Sequence, residues 1–203
     1  MTHAILDLPL VTPSAARGTS IEPLFEAGRK AGKGMLPNMY QAMANAPGVL
    51  STYLHGYSEF HATSTLTSIQ REVVFLVISE ENGCDYCMAA HSLVCDMAGV
   101  PRKVTDAIRN REAIPDDRLQ VLADTVRELL LSRGRPSQQA LQEFLVAGYT
   151  QAQILEIVLA IAVKTLSNYT NHLFETPLDA PFKVREYSAY KLGQKMVEAF
   201  RAQ

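Results

Sequence analysis

Two cysteines and a histidine at helical spacing form the most reactive group in the sequence. Cys84, Cys87 and His91 follow one another at i, i+3 and i+7, which places them on one face of a helix. Gly83 ends the preceding apolar helix, so Cys84 lies at or near the start of the next one. The unpaired N–H groups and the positive dipole end of a first helical turn lower the pKa of a nearby thiol, and the thiolate is the reactive form. The segment therefore supplies a nucleophilic thiol, a second thiol that can form a disulfide with it, and a base.

A carboxylate lies twelve positions before the first cysteine, in an apolar segment. Thr67 and Gln70 have the spacing of a capping box, which predicts the start of a helix that runs to about Glu81. This helix is apolar on nearly all sides, as is typical of a helix buried in a bundle. A carboxylate at Glu72 is costly there unless it is paired or protonated. It could take part in the chemistry, complement the dipole of the first turn, or pair with Arg71 or a partner helix.

The same cysteines could also be read as part of a metal site. Cys84, Cys87, His91 and Cys95 can be written as a four-ligand zinc set. Structural zinc sites usually draw two ligands from each of two separate segments, so a site built from twelve residues of mostly one helix would be strained. This favours redox chemistry over zinc, and it leaves Cys95 as a small buried apolar residue.

The composition excludes several classes of protein. With 203 residues and 47% hydrophobic content, the chain can bury a sizeable core. A net charge of −2 argues against a nucleic-acid or anionic-membrane surface. The longest apolar run, Ile157 to Val163, is much shorter than a membrane span, and no signal peptide is recognisable. Three cysteines is an odd count, which favours a reducing cytoplasm over a disulfide framework. We expect a cytoplasmic protein.

The sequence pattern predicts an all-α multi-helix bundle of about eight to ten helices. No segment shows sustained strand alternation, and no dinucleotide glycine pattern or phosphate loop is present. Residues 1–20 are predicted to be an extended N-terminal arm that is ordered against a neighbouring subunit. Residues 21–203 are predicted to be a single helical domain with its redox core at 67–111. The spacing of apolar residues predicts a closing helix from Val184 to Phe200.

Most other polar residues are predicted to be solvated. His55 and His61 lie on or just after a packing helix, where a histidine is more often satisfied or solvated than a ligand. Exposed positions are also predicted for a set of charged residues near helix ends: Glu80, Glu81, Arg102, Lys103, Arg109 and Arg111.

A long apolar helix is predicted from about Gln151 to Phe174, and it weakly echoes the helix that carries Glu72. Where the echo would place cysteines, this segment has Asn168 and Asn171. Of the two similar segments, only the one that carries Glu72 is therefore predicted to perform thiol chemistry. His172, near the end of this helix, either lines a pocket or contacts the negative end of the helix dipole.

The motif as a whole resembles a known family. The pattern E-x11-C-x2-C-x3-H is formed by Glu72, Cys84, Cys87 and His91. It resembles the alkyl hydroperoxidase D-like core of the carboxymuconolactone decarboxylase superfamily, and the resemblance covers 67–111. The segment T-N-H-L-F at 170–174 is similar to the peroxidase-related members. The sequence departs from the best-described members at Tyr86, where they carry a histidine. The disulfide chemistry is retained, and it stays open whether Tyr86 takes the place of that proton-relay group.

The resemblance implies a fold, roles and partners. It implies an all-helical fold of the alkyl hydroperoxidase D-like type, and homo-oligomers, commonly trimers or hexamers. It implies that His91, positioned with Glu72 through water, deprotonates Cys87, which attacks a hydroperoxide, and that Cys84 then closes the disulfide. No cofactor is implied, because an external dithiol of the thioredoxin or lipoyl type reduces the disulfide. Spacing alone does not order the cysteines, and the helix-start position would suit Cys84 as the first nucleophile in a thioredoxin-type scheme. Tyr86 could orient substrate, donate a hydrogen bond or pack.

The function predicted from the sequence is therefore a thiol-dependent peroxidase that acts on a small-molecule hydroperoxide. Three alternatives stay open. A carboxymuconolactone-type decarboxylase would not need the cysteine pair. A general disulfide reductase or isomerase would use the pair on a protein or small disulfide. A non-enzymatic thiol sensor or zinc-stabilised module would turn over no peroxide.

Overall fold

The computed structural model describes residues 5–32 and 34–186, and within them the chain forms helices and no strand. Ten α-helices are followed by a 3-10 helix at Ala180–Arg185. The predicted all-α fold is confirmed. The α-helices are α1 Pro13–Ala16, α2 Glu22–Ala31, α3 Asn38–Met43, α4 Pro47–Thr63, α5 Ser68–Glu81, α6 Asp85–Ala98, α7 Arg102–Asn110, α8 Asp117–Leu131, α9 Gln138–Val146 and α10 Gln151–Phe174.

Helix α5 lies at the centre of the bundle, in contact with α6, α8 and α10. The predicted capping box is present: Thr67 Oγ1 accepts from the Gln70 backbone N–H, and the Gln70 side chain accepts from the Thr67 N–H. These bonds satisfy two of the N–H groups that a helix start leaves unpaired. The six residues from Val73 to Ile78 have no exposed surface, so α5 is apolar all round because it is surrounded.

Helix α6 begins and ends at residues that the sequence marks. Cys84 is its N-cap residue, as the spacing predicts, and Gly99 ends it with a φ of 78°. A residue with a side chain is strained at this φ, and glycine is not. Between these ends, α6 packs one face against α5 and another against the segment around the 3-10 helix.

Helix α10 crosses α4 at a close approach. A Cβ atom added at Gly56 would lie 2.9 Å from Val163 Cγ2, so only glycine lets the two helices come this near. Helix α10 also contacts α3, α5 and α6. Its N-terminus carries a second capping box, formed by Thr150 and Gln153, and the prediction of Thr150 as N-cap is confirmed.

Two residues predicted to be solvated are buried, and one of them contacts the segment after α10, which folds back over α6. Arg109 is only 4% exposed, because its guanidinium donates to Ser92 Oγ at 2.6 Å and to the Arg185 carbonyl at 3.2 Å. The prediction of a solvated Arg109 was therefore wrong. It was wrong for Glu80 as well, which is 2% exposed and accepts from Arg111 Nε at 2.6 Å.

The two ends of the chain are described only in part. Near the start, the Val11 N–H donates to the Gln41 carbonyl at 3.0 Å, and Asn45 donates to the Pro9 carbonyl at 2.9 Å. The docking of the arm on a neighbouring subunit stays a prediction, as do the predicted domain limits. Most of the predicted closing helix from Val184 to Phe200 lies outside the described residues.

In the described part of the chain, no single helix is long and apolar enough to span a membrane, although the bent pair α9 and α10 meets that test together by length and composition.

Candidate active site

The carboxylate and the histidine of the motif meet in the core. Glu72 on α5 and His91 on α6 are 3% and 6% exposed, and Glu72 Oε2 lies 3.1 Å from His91 Nδ1. A carboxylate can only accept, so His91 donates from Nδ1, and the Nε2 of its neutral ring is left as a base. Burial lowers the pKa of His91, and the charge of Lys164 lowers it further, whereas Glu72 opposes both. The neutral, basic form is therefore favoured.

The second oxygen of Glu72 faces another histidine. His61 Nε2 on α4 lies 3.9 Å from Glu72 Oε1, and it has no hydrogen-bond partner among the described residues. The His61 side chain is 31% exposed, and its ring packs 4.4 Å from that of Tyr57, measured between centroids. Glu72 thus lies between a buried histidine and one that reaches solvent. From the sequence, His61 was predicted to be satisfied or solvated, and nothing there indicated this contact.

The two motif cysteines lie together beneath α10. Both are free thiols and are 1% to 2% exposed. Asn171 Nδ2 on α10 lies 3.2 Å from Cys87 Sγ and 3.9 Å from Cys84 Sγ. The amide N–H therefore donates to the Cys87 sulfur. Asn171 was noted in the sequence only as the residue that stands where a cysteine would fall in the echo.

The surroundings of the two thiols differ in their effect on charge. Burial raises the pKa of Cys87, but four contributions outweigh it: a hydrogen bond from Cys84, the charge of Lys164, the nearby His91 and the Asn171 amide. The pKa of Cys87 is therefore held well below its usual range. The pKa of Cys84 is raised, because its thiol donates to Cys87 and because it is buried. These shifts favour the thiolate on Cys87, although the helix-start position had suggested Cys84.

A pocket of about 450 Å³ opens onto Cys87. Cys87 and His91 line this pocket, whereas Cys84 and Glu72 do not. A molecule in the pocket therefore meets Cys87 first. The remaining wall is mostly aliphatic and aromatic: Ala31, Gly32, Met35, Pro37, Met39, Tyr40, Tyr53, Tyr57, Tyr86, Ala90, Leu93, Val94, Met97, Ala98, Lys164, Pro181 and Phe182.

Lys164 on α10 is the residue of this site that the sequence analysis missed. It lines the pocket and is only 1% exposed. A signal was present: the apolar run Ile157 to Val163 ends at this one cation, in the middle of a helix otherwise suited to a core. Lysine is almost never fully buried without a partner, so such a position marks a site.

Tyr86, between the two cysteines, is turned toward the segment after α10. Its hydroxyl donates to Asp179 Oδ2, and its ring meets Phe182 edge-on at 5.8 Å. Burial and then the bond to Asp179 raise the pKa of Tyr86. Asp179 also accepts from the Asn38 backbone N–H at 3.2 Å. Of the three roles left open by the sequence, the contacts favour hydrogen bonding and packing within the protein.

We expect Tyr86→Phe to destabilise the fold by about 1 to 2 kcal/mol, since it removes one of the hydrogen-bond donors of a partly buried carboxylate. The rate of the hydroperoxide reduction predicted from the sequence should change little, because the ring and its packing remain. Urea unfolding measures the first effect and single-turnover kinetics the second. A large loss of rate at unchanged stability would instead make the hydroxyl part of the chemistry.

Other candidate residues are not brought into the site. His172 is exposed and does not line the pocket. Cys95 is fully buried, and burial is the main cause that raises its pKa. In residues 5–32 and 34–186, no three histidine, cysteine or acidic residues lie close enough to hold a metal ion. The four-ligand zinc set written from the sequence is therefore not assembled.

Solved structures match the chain over most of its length. An alkylhydroperoxidase AhpD core structure, an uncharacterized peroxidase-related protein from Ralstonia eutropha JMP134, matches with a TM-score of 0.75 at 20% identity, over 92% of this chain and 98% of that one. A peroxidase-related protein from Silicibacter sp. TM1040 matches with a TM-score of 0.72 at 22% identity, over 90% and 95% of the two chains. The chain has the alkyl hydroperoxidase D-like fold. The fold predicted from the motif is thereby confirmed.

The solved structures that match the chain also include a debrominase. The debrominase Bmp8, solved as a variant in complex with 2,3,4-tribromopyrrole, matches with a TM-score of 0.73 at 16% identity, over 89% of this chain and 95% of that one. No family model matches the chain, and no curated protein matches it significantly.

Proposed function

We propose that this protein is a thiol-dependent peroxidase that reduces hydroperoxides through a disulfide cycle of Cys84 and Cys87. One observation carries the proposal: Cys87, whose pKa is held low, reaches the wall of an apolar pocket, and a second thiol lies three residues before it. A nucleophilic thiolate, a route to it from outside and a resolving thiol are what two-cysteine peroxide reduction needs.

The first step forms the sulfenic acid. His91 takes the proton of Cys87 on Nε2, while Glu72 holds the Nδ1 hydrogen and stabilises the positive ring. The Cys87 thiolate attacks the terminal oxygen of the hydroperoxide, an S–O bond forms, and the O–O bond breaks. Sulfur loses two electrons and the peroxide gains them. The products are Cys87–SOH and an alkoxide, which leaves as the alcohol after it takes up a proton.

The second step forms the disulfide. The sulfur of Cys84 attacks the sulfur of Cys87–SOH, and the hydroxyl leaves as water with the proton of Cys84. Asn171, 3.2 Å from Cys87 and 3.9 Å from Cys84, spans both sulfurs and holds them beneath α10. An external dithiol then reduces the disulfide by exchange, which returns both thiols.

The pocket favours organic hydroperoxides over hydrogen peroxide. Its volume of about 450 Å³ is in the range of sites for small organic ligands, and its wall is largely apolar. Burial of an apolar substituent in it contributes binding energy that hydrogen peroxide cannot supply. We therefore propose a hydroperoxide with an aliphatic or aromatic group as the substrate.

The test is a count of free thiols after one equivalent of cumene hydroperoxide, on wild type without reductant. We expect two of the three thiols to be lost and cumyl alcohol to appear in equal amount. Cys95→Ser is the matched control, and it should also lose two thiols, because Cys95 lies outside the pocket. A wild type that keeps three thiols contradicts the proposal.

A parallel experiment uses 2,3,4-tribromopyrrole, because this compound is bound in a solved structure of the same fold. The experiment measures bromide release in the presence of excess dithiol. Bromide release without any consumption of hydroperoxide would assign the same thiols to dehalogenation and overturn the peroxidase proposal.

A further inference from the structure

The buried lysine of the pocket has no assigned role in the steps above. Of the described residues that line the pocket, Lys164 is the one Lys or Arg, and no Asp or Glu lines it. The inference drawn here rests on the proposed peroxidase function. It concerns the fate of the negative charge that O–O cleavage creates.

The surroundings of Lys164 leave its ammonium free to act in the pocket. Within residues 5–32 and 34–186, no carboxylate oxygen lies within the 4.0 Å that defines an ion pair with it. The ammonium lies 5.8 Å from the centroid of the Phe75 ring, which attracts a cation weakly. The close packing of Val163 on Gly56 fixes the backbone next to it. A buried ammonium without a carboxylate partner is costly to keep, which points to a chemical role.

The reaction needs a proton donor at the oxygen that leaves, and His91 has a proton to give only after it has deprotonated Cys87. Attack of the thiolate on a hydroperoxide places a full negative charge on the leaving oxygen, and an alkoxide is a poor leaving group unless it is protonated. His91 is favoured in its neutral form, since burial and the charge of Lys164 lower its pKa. Glu72 lies behind His91 and does not line the pocket. Tyr86 donates its hydroxyl to Asp179.

We propose that Lys164 is the general acid that protonates the leaving alkoxide. It lines the same pocket as Cys87, so a hydroperoxide bound there can contact both side chains. As the Cys87 sulfur forms its bond to the terminal oxygen, the O–O electron pair moves to the inner oxygen, which takes a proton from the Lys164 ammonium and leaves as the alcohol. The proton that His91 removed from Cys87 restores the ammonium. One thiol and one hydroperoxide thus become one sulfenic acid and one alcohol, with no net gain or loss of protons.

The test compares two oxidants that differ in their need for an acid. Cumene hydroperoxide releases an alkoxide, whereas peroxybenzoic acid releases a carboxylate, which leaves without protonation. We expect Lys164→Met to slow sulfenic acid formation by cumene hydroperoxide by about 100-fold, the usual size of a general-acid contribution. The rate with peroxybenzoic acid should fall far less. Any loss of thiolate in the variant slows both oxidants equally, so the ratio of the two rates isolates the acid.

Two controls distinguish a failure of the acid role of Lys164 from a failure of the proposed peroxidase function. Lys183→Met removes the same charge from an exposed position outside the pocket and should leave the ratio at the wild-type value. If wild type reacts with neither oxidant, the proposed function fails. If wild type is active and Lys164→Met slows both oxidants by the same factor, Lys164 only stabilises the thiolate, and the acid role is overturned.

A measurement on wild type covers the case in which Lys164→Met does not fold. Proton transfer in the rate-limiting step predicts that D₂O slows the reaction of cumene hydroperoxide and leaves that of peroxybenzoic acid almost unchanged, after correction for the thiolate fraction. Equal effects of D₂O on the two oxidants would exclude general-acid catalysis by any residue, Lys164 included.

Discussion

Cys87→Ser is expected to lower the rate of hydroperoxide reduction about a thousand-fold or more, the size of effect seen when a catalytic nucleophile is removed. Cys87 lines the pocket and has the lowered pKa, while Cys84 does not line the pocket and has a raised pKa. The variant should therefore lose no thiol on addition of cumene hydroperoxide. Stopped-flow measurement of hydroperoxide consumption and a thiol count on the same sample give both results.

Cys84→Ser is the matched partner of this experiment. It should react at the first step and stop at Cys87–SOH, because the resolving thiol is missing. A sulfenic acid trap such as dimedone should then label residue 87 alone. The reverse pattern, with Cys84→Ser inert and Cys87→Ser trapped as a sulfenic acid, would assign the attack to Cys84, as its place at the start of α6 had suggested.

Glu72→Gln is expected to slow formation of the sulfenic acid by about 100-fold, since it removes the partner that makes His91 an effective base. Glu72 Oε2 accepts the hydrogen on His91 Nδ1 at 3.1 Å, and its negative charge stabilises the ring once it is protonated. The amide of glutamine keeps the shape and loses the charge. The measurement is the rate of sulfenic acid formation in a single turnover, determined over a range of pH. The rate of the variant should be lower than that of wild type at every pH at which His91 acts as the base.

The same helix provides a matched control for Glu72→Gln. Glu80 is also buried on α5, and its carboxylate pairs with Arg111 at 2.6 Å, outside the pocket. Glu80→Gln should lower the free energy of unfolding, because it removes the buried charge that accepts from Arg111 Nε at 2.6 Å, and it should keep the wild-type rate. Equal losses of rate in the two variants would show that the effect of Glu72→Gln comes from a disturbed α5 and not from the chemistry.

Local sequence rules were sufficient for the elements that carry the motif. The capping box at Thr67, the N-cap position of Cys84 and the helix end at Gly99 each depend on residues within one or two turns. Such features can be predicted because the physical cause lies beside the residue in the chain. The apolar character of α5 likewise predicted its burial at the centre of the bundle.

The rest of the site depends on contacts between distant segments. Asn171 meets Cys87 from 84 residues away, and Asp179 meets Tyr86 from 93 residues away. Nothing in the neighbourhood of either residue indicates these partners. The solvated positions predicted for Glu80 and Arg109 were wrong for the same reason. The charge of these two side chains can be read from the sequence and predicts exposure. The groups that cover them lie 31 or more residues away, at Arg111 and in the segment at 185–186.

The buried cation beside Cys87 also has a thermodynamic consequence. The attraction between Lys164 and the Cys87 thiolate exists only in the dithiol state, because disulfide formation removes the negative charge and leaves the ammonium buried. The dithiol state is therefore stabilised relative to the disulfide, and each tenfold change in that equilibrium raises the midpoint potential by about 30 mV. A disulfide of raised potential is reduced even by a weakly reducing dithiol. In the proposed disulfide cycle, the lysine would therefore make the oxidised protein easier to recycle and widen the range of dithiols that can reduce it.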